Sequence, residues 1–162
     1  MKVYRITGAE HAAKLDGMGA SLKKQGARWN ATGVQMIYAS ESRALAFAEV
    51  VAHFKDLKRF PTNHVLITYA VAKGIRPTRP GNLPKDWNAP GAPYPRSTQA
   101  LGSGFIAGGE LLMRVPSVII PHEWNYLINP NVVEGRLTID VIEEFKLDAR
   151  FNIFVGGKKV RS

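Results

Sequence analysis

The 162-residue sequence contains no cysteine. That absence excludes disulfides, thiolate metal sites and cysteine nucleophiles, and it fits a reducing compartment. Long apolar runs are missing as well, since no stretch reaches the ~20 residues that span a bilayer. The opening Met1-Lys2-Val3-Tyr4-Arg5-Ile6-Thr7 has no secretory apolar core. The expectation is a soluble, cytoplasmic protein without a membrane partner. Acidic residues are scarce, 13 against 22 Lys and Arg, which leaves a formal charge of +9. Such a surplus attracts polyanions: nucleic acid, nucleotides or an acidic protein. The basic residues are scattered, with small groups at Lys23-Lys24, Lys55–Arg59, Arg76 with Arg79, and Lys158-Lys159-Val160-Arg161. No basic helix and no aromatic–basic alternation of a single-strand binder emerges.

Signature motifs are lacking too. His11, His53, His64 and His122 include no i, i+4 pair, so no metal site is expected. Gly108-Gly109 and Gly156-Gly157 lack the lysine and further glycines of a phosphate loop. No Gly-x-Ser-x-Gly turn supports serine hydrolysis.

What is present suffices for one domain over residues 1–162, because 45% of residues are hydrophobic and can build a core. Strands are predicted at Val3–Ile6, Gln35–Ala39, His64–Ala72, Leu111–Ile120, Leu127–Pro130 and Leu137–Leu147, with both faces of His64–Ala72 apolar enough for burial. Pro116 predicts an edge or a bulge. Helices are predicted at 9–16, at Ser42–Phe54 behind an N-cap supplied by Ser40-Glu41-Ser42, and at Ser97–Leu101. The Pro-, Gly- and Asn-rich segment Ile75–Pro95 reads as a long surface loop, a class that is often functional. The fold class is α+β, with mixed, mostly antiparallel sheets and flanking helices.

Three residues stand out. Arg28 lies in the loop Gly26-Ala27-Arg28-Trp29-Asn30-Ala31-Thr32-Gly33, where glycines let backbone bend closely around a ligand. Glu49 falls at the margin of an apolar helix face, and Ser117 follows a proline inside an apolar strand. Each has a plain structural alternative: a surface or capping arginine, a snorkelling border glutamate, a satisfied edge serine. Together they suit a nucleotide. Arginine forks onto phosphate or ribose oxygens. Tyr38 offers a ring for stacking, and Ser40 ends the same strand. A glutamate stabilises positive charge at an anomeric carbon. The rival reading, resting on net charge, is a basic nucleic-acid-binding module or a ribonuclease-type toxin.

Tyr4-Arg5, Gly26-Ala27-Arg28-Trp29-Asn30…Gly33, Ile37-Tyr38-Ala39-Ser40, Ala44-Leu45-Ala46…Glu49, Thr98-Gln99-Ala100-Leu101-Gly102, Val115-Pro116-Ser117-Val118 and Asn125-Tyr126-Leu127-Ile128-Asn129-Pro130 resemble RES-domain proteins in order and spacing. The resemblance extends to Leu147-Asp148-Ala149-Arg150, and the Arg, Glu and Ser of the family name match Arg28, Glu49 and Ser117. Ala27 departs from it, where many relatives carry a second glycine. The resemblance implies a bacterial type II toxin with an ADP-ribosyltransferase-like fold. It implies NAD as substrate, cleaved at the nicotinamide–ribose bond, with ADP-ribose passed to a protein, water or phosphate. It further implies an antitoxin that covers the cleft, with nucleic acid reached only through that antitoxin. By the same carry-over Arg28, Glu49 and Ser117 are the catalytic set, and Arg28, Tyr38, Ser40 and Ser117 bind NAD.

Overall fold

The computed structural model describes residues 1–19, 25–54 and 56–153. Its centre is one sheet of six strands: β1 (Lys2–Gly8), β2 (Ile37–Ser40), β3 (His64–Val71), β4 (Leu112–Pro116), β5 (Trp124–Ile128) and β6 (Leu137–Phe145). They run in the order β4-β5-β2-β1-β3-β6, with every neighbouring pair antiparallel. Two helices, α1 (Arg43–Val51) and α2 (Arg96–Ala107), complete the α+β architecture. β4 is an edge strand, and Pro116 is its last residue. The missing N–H therefore costs the ladder little.

Register divides the sheet into two faces. Val3, Ile37, Ile67, Tyr69, Leu112 and Ile128 belong to one buried cluster. The opposite face carries two smaller clusters. One joins Ile6 and Leu66 to Ala46 of α1; the other joins Met113, Val115 and Leu127 to Trp29 and to Phe105 of α2. β1 and β2 share a single paired position, Tyr4↔Ser40. The apolar character of both faces of β3 is explained by cover on both sides, with Leu66, Ile67, Thr68 and Tyr69 all buried.

Several boundaries differ from expectation. Residues 9–16 form only a 3-10 turn at Ala9–His11, whose N-cap Gly8 offers no side-chain oxygen. So short a helix cannot offset its nucleation cost. Ser40 belongs to β2; the cap of α1 is Ser42, whose Oγ accepts from the Leu45 N–H at 3.0 Å. The first turn holds no acid. Instead the Glu41 carboxylate accepts from the Trp124 N–H at 2.8 Å and pairs with Arg114 at 3.5 Å. α1 buries Leu45 and Ala46, whereas Ala44 and Ala52 are exposed.

α2 is much longer than predicted, because Gly102 and Gly104 lower helix propensity and hide it. Gly102 is required by packing. A Cβ there would lie 1.7 Å from the Trp29 carbonyl oxygen. Ser97 does not cap it; its hydroxyl donates to Asp86 at 2.7 Å.

Candidate functional site

A cleft of about 700 Å³ opens on the sheet face between α1, the 26–29 loop and the 91–94 segment. Its lining includes Arg5, Arg28, Tyr38, Ser40, Glu49, His53, Tyr94 and Asn125. Among the described residues no three His, Asp or Glu side chains gather to hold a metal ion, and no helix is long and apolar enough to cross a membrane. Lys23, Lys24, Lys55 and Lys158-Lys159-Val160-Arg161 lie outside the described residues.

Glu49 is the pivot. Helical spacing places it on one side of α1 with Ala46 and Val50, and His53 follows in the turn past the helix end; all of them line the cleft. Its carboxylate turns toward the sheet. Oε1 accepts from Ser117 Oγ at 2.7 Å and from Asn125 Nδ2. Among the described residues Oε2 has no hydrogen-bond partner. A carboxylate takes only donors, so the Asn125 amide has one allowed orientation. Its Oδ1 then accepts from Ser40 Oγ at 2.7 Å. Ser40 and Asn125 face each other across the β2–β5 ladder, and Val115 pairs with Asn125 from β4. Sheet register therefore builds the floor beneath Glu49. Hydrogen bonds to a charged group contribute roughly 1.5–3 kcal/mol each, which fixes one rotamer of this helix-borne side chain.

Ser117 sits behind Glu49. It is buried, and besides donating to Glu49 its Oγ accepts from the N–H groups of Ile119 and Ile120, both at 3.0 Å. One donor and two acceptors exhaust a hydroxyl. The resemblance implied Ser117 as an NAD-binding residue; in this structure its hydroxyl is committed within the protein. The same bonds order the 117–123 turn, which puts Val118 and Ile119 on the rim of the cleft. Ser40, also buried, spends its proton on Asn125.

Arg28 is held differently from a solvated loop arginine. Its Nη1 and Nη2 donate to the Trp87 and Ala89 carbonyls at 2.7 and 2.9 Å, and its guanidinium lies 5.1 Å from the centre of the Tyr94 ring. It pins the 75–95 loop to the cleft while keeping other N–H groups available. Trp29 anchors the same loop from below. It is 3% exposed. Burying an indole removes roughly 150–250 Å² from water, or about 4–6 kcal/mol. That offsets the ordering of about three or four loop residues at ~1–2 kcal/mol each. Gly26, at φ +71°, is demanded by the loop's own closure and not by a ligand. A Cβ there would stand 2.1 Å from the Asn30 carbonyl oxygen, which accepts from the Ala27 N–H.

Tyr38 donates its hydroxyl to Asn30 and accepts from the Trp29 N–H at 3.2 Å. Burial pushes its phenol well above the usual range, so it remains a donor. Its ring is left to the cleft. Arg28→Lys is expected to lose one of the two carbonyl bonds and the planar stack on Tyr94. The outcome is faster limited proteolysis within 75–95, together with weaker ligand binding. Wild-type cleavage rates there would contradict the pinning.

Sequence reasoning assigned no role to Asn125, Arg5 or Tyr94. The signal for Asn125 was an amide flanked by Trp124, Tyr126, Leu127 and Ile128, an apolar strand in which an unpaired amide would be costly.

Residues 2–148 match the RES domain. A protein of Sphingobium sp. (strain YBL2), "Prs ADP-ribosylating toxin", is 40% identical over 117 residues, 69% of this chain and 71% of that protein. "Toxin Res" of Pseudomonas putida is 32% identical over 140 residues, covering 85% of this chain and 92% of its own. Among solved structures, the crystal structure of the M. tuberculosis MbcT–MbcA toxin–antitoxin complex contains a chain that superposes with a TM-score of 0.66 at 19% identity. The match covers 90% of this chain and 84% of that one. That likeness shows a shared fold.

Proposed function

Because this chain belongs to the RES-domain family, we propose that it is an NAD-consuming toxin. It cleaves the nicotinamide–ribose bond and passes ADP-ribose to a protein acceptor. The observation that carries this reading is Glu49. One of its oxygens is clamped by Ser117 and Asn125 and the other is left to a cleft also lined by Arg5 and Arg28. Two arginines suit the two phosphates of a dinucleotide, and the overall charge draws such an anion in.

The residues divide the work as follows. Arg28 holds phosphate or ribose oxygens with the N–H groups that the 75–95 loop does not use. The Tyr38 ring stacks on the nicotinamide. Glu49 Oε2 accepts from a ribose hydroxyl and stabilises the positive charge that grows as neutral nicotinamide departs. Ser117 and Asn125 hold that carboxylate, so little reorganisation accompanies the charge development. Transfer to a protein, rather than to water or phosphate, is favoured by the 40%-identical relative named as an ADP-ribosylating toxin. We place the protein in the cytoplasm, where NAD is available, under an antitoxin whose segment occupies the cleft. The cleft lining includes one histidine, His53, so it offers no histidine pair for ribonuclease acid–base work.

The test uses NAD labelled in its adenylate part, added with purified protein to a bacterial lysate. Label is expected on a discrete protein band, with free nicotinamide released in step. Free ADP-ribose or its phosphate ester without labelled protein would overturn the choice of acceptor. RNA cleavage without nicotinamide release would overturn the NAD reading.

A further inference from the structure

We infer that Asn125, tethered by Ser40, is a positioning residue that fixes the direction in which Glu49 presents its uncommitted oxygen to the substrate. This rests on the reading of Glu49 as the group facing the reacting ribose.

Asn125 reaches Glu49 across 76 residues of sequence and Ser40 across 85, so it joins α1 to the β2–β5 ladder. Its amide has two ends with opposite character, and both are committed. Nδ2 donates to Glu49 Oε1, and Oδ1 accepts from Ser40 Oγ at 2.7 Å. Ser40 is 4% exposed, which leaves its hydroxyl little access to solvent. The carboxylate selects the Nδ2 end of the amide, Ser40 holds the Oδ1 end in place, and the tethered amide in turn restrains the carboxylate. Ser117 alone could hold Oε1 at 2.7 Å, but one bond leaves the carboxylate free to swivel about it. The second bond, arriving from the sheet floor, stops that rotation and leaves Oε2 as the oxygen presented to the cleft. A misplacement of about 1 Å at a reacting centre can cost roughly a hundredfold in rate. Hydrogen bonding behind the reacting group thus acts on turnover and not on ligand capture.

Three variants test this by nicotinamide release from NAD, with the dissociation constant of NAD and thermal unfolding measured alongside. Asn125→Asp keeps shape but loses the donor and sets a second carboxylate against Glu49. It is expected to lower kcat about 100-fold, while KM and NAD affinity stay within about threefold of wild type. Asn125→Ala should lower kcat by roughly 10- to 100-fold with the same split. Ser40→Ala leaves Asn125 in place but removes the bond that tethers its Oδ1, so the amide and the carboxylate it holds can swing. It should lower kcat by roughly three- to tenfold, and combined with Asn125→Ala it should add nothing further. Should Asn125→Asp fail to fold, Ser40→Ala and its non-additivity still decide. Wild-type kcat in the folded Asn125 variants, or a loss appearing in KM alone, would overturn the inference. Glu49→Gln separates the two levels. If it too retains turnover, the assignment of Glu49 has failed; if it is inactive while the Asn125 variants are not, only the positioning role has failed.

Discussion

Glu49→Gln is expected to lower nicotinamide release from NAD by about a hundred- to thousandfold, or about 3–4 kcal/mol of transition-state stabilisation, with no matching loss of fold. The reason lies in the asymmetry of its environment. Two donors, Ser117 Oγ and Asn125 Nδ2, converge on Oε1. A glutamine at this position must answer them with its carbonyl oxygen, so its NH2 takes the place of Oε2. Packing and the bonds to β5 and the 117–123 turn survive. The group facing the cleft becomes an uncharged donor where a negative charge is needed. NAD affinity should change little, because the arginines and Tyr38 remain. A variant that releases nicotinamide at the wild-type rate would remove Glu49 from catalysis. One that unfolds would show that the carboxylate is chiefly structural.

Gly102→Ala is expected to act on the same site through the fold. The α2 backbone at Gly102 lies so close to the 26–33 loop that a methyl group would meet the Trp29 carbonyl oxygen at 1.7 Å and its carbonyl carbon at 2.7 Å. Both obstacles are backbone, so no side chain can rotate away. Either α2 lifts off the sheet, loosening Phe105 from Met113, Val115 and Leu127, or the loop shifts and carries Arg28 with it. Overpacking of this kind costs roughly 3 kcal/mol or more, about 6–12 °C in Tm for a chain of this size. Since Arg28 anchors the 75–95 loop through Trp87 and Ala89, NAD turnover should fall together with stability. Gly104 is the control, because a methyl group there would meet nothing within 4 Å; alanine at that position should preserve Tm and activity. Equal effects at the two positions would refute the contact argument.

These two outcomes bear on how much the sequence could reveal. The apolar character of both faces of His64–Ala72 led directly to the strand β3, because a residue buried on either face leaves a mark in composition. The proline at 116 pointed to the edge that β4 occupies, since a ladder tolerates a missing donor only there or at a bulge. Glu49, at the margin of an apolar helix face, was visible as an anomaly. By contrast the second half of α2, beyond Leu101, was hidden. Its glycines depress helix propensity, and the purpose of Gly102 is close approach to Trp29, a residue 73 positions earlier whose neighbourhood no local pattern encodes.

The chemical inventory and the family were already legible in the order of the residues. There is no thiol and no paired histidine, but a basic surplus and an Arg, a Glu and a Ser set in ordered motifs. Local periodicity also carried the strand-rich α+β class. The task of each polar group emerged only once the chain was folded. Arg28 is pinned to carbonyls 59 and 61 residues away, Ser117 is saturated behind Glu49, and Asn125 bridges Ser40 to Glu49. A hydrogen-bonding side chain is defined by where its donors and acceptors are spent. In this protein they are spent across strand pairings and helix–sheet contacts that bring together residues distant in the chain.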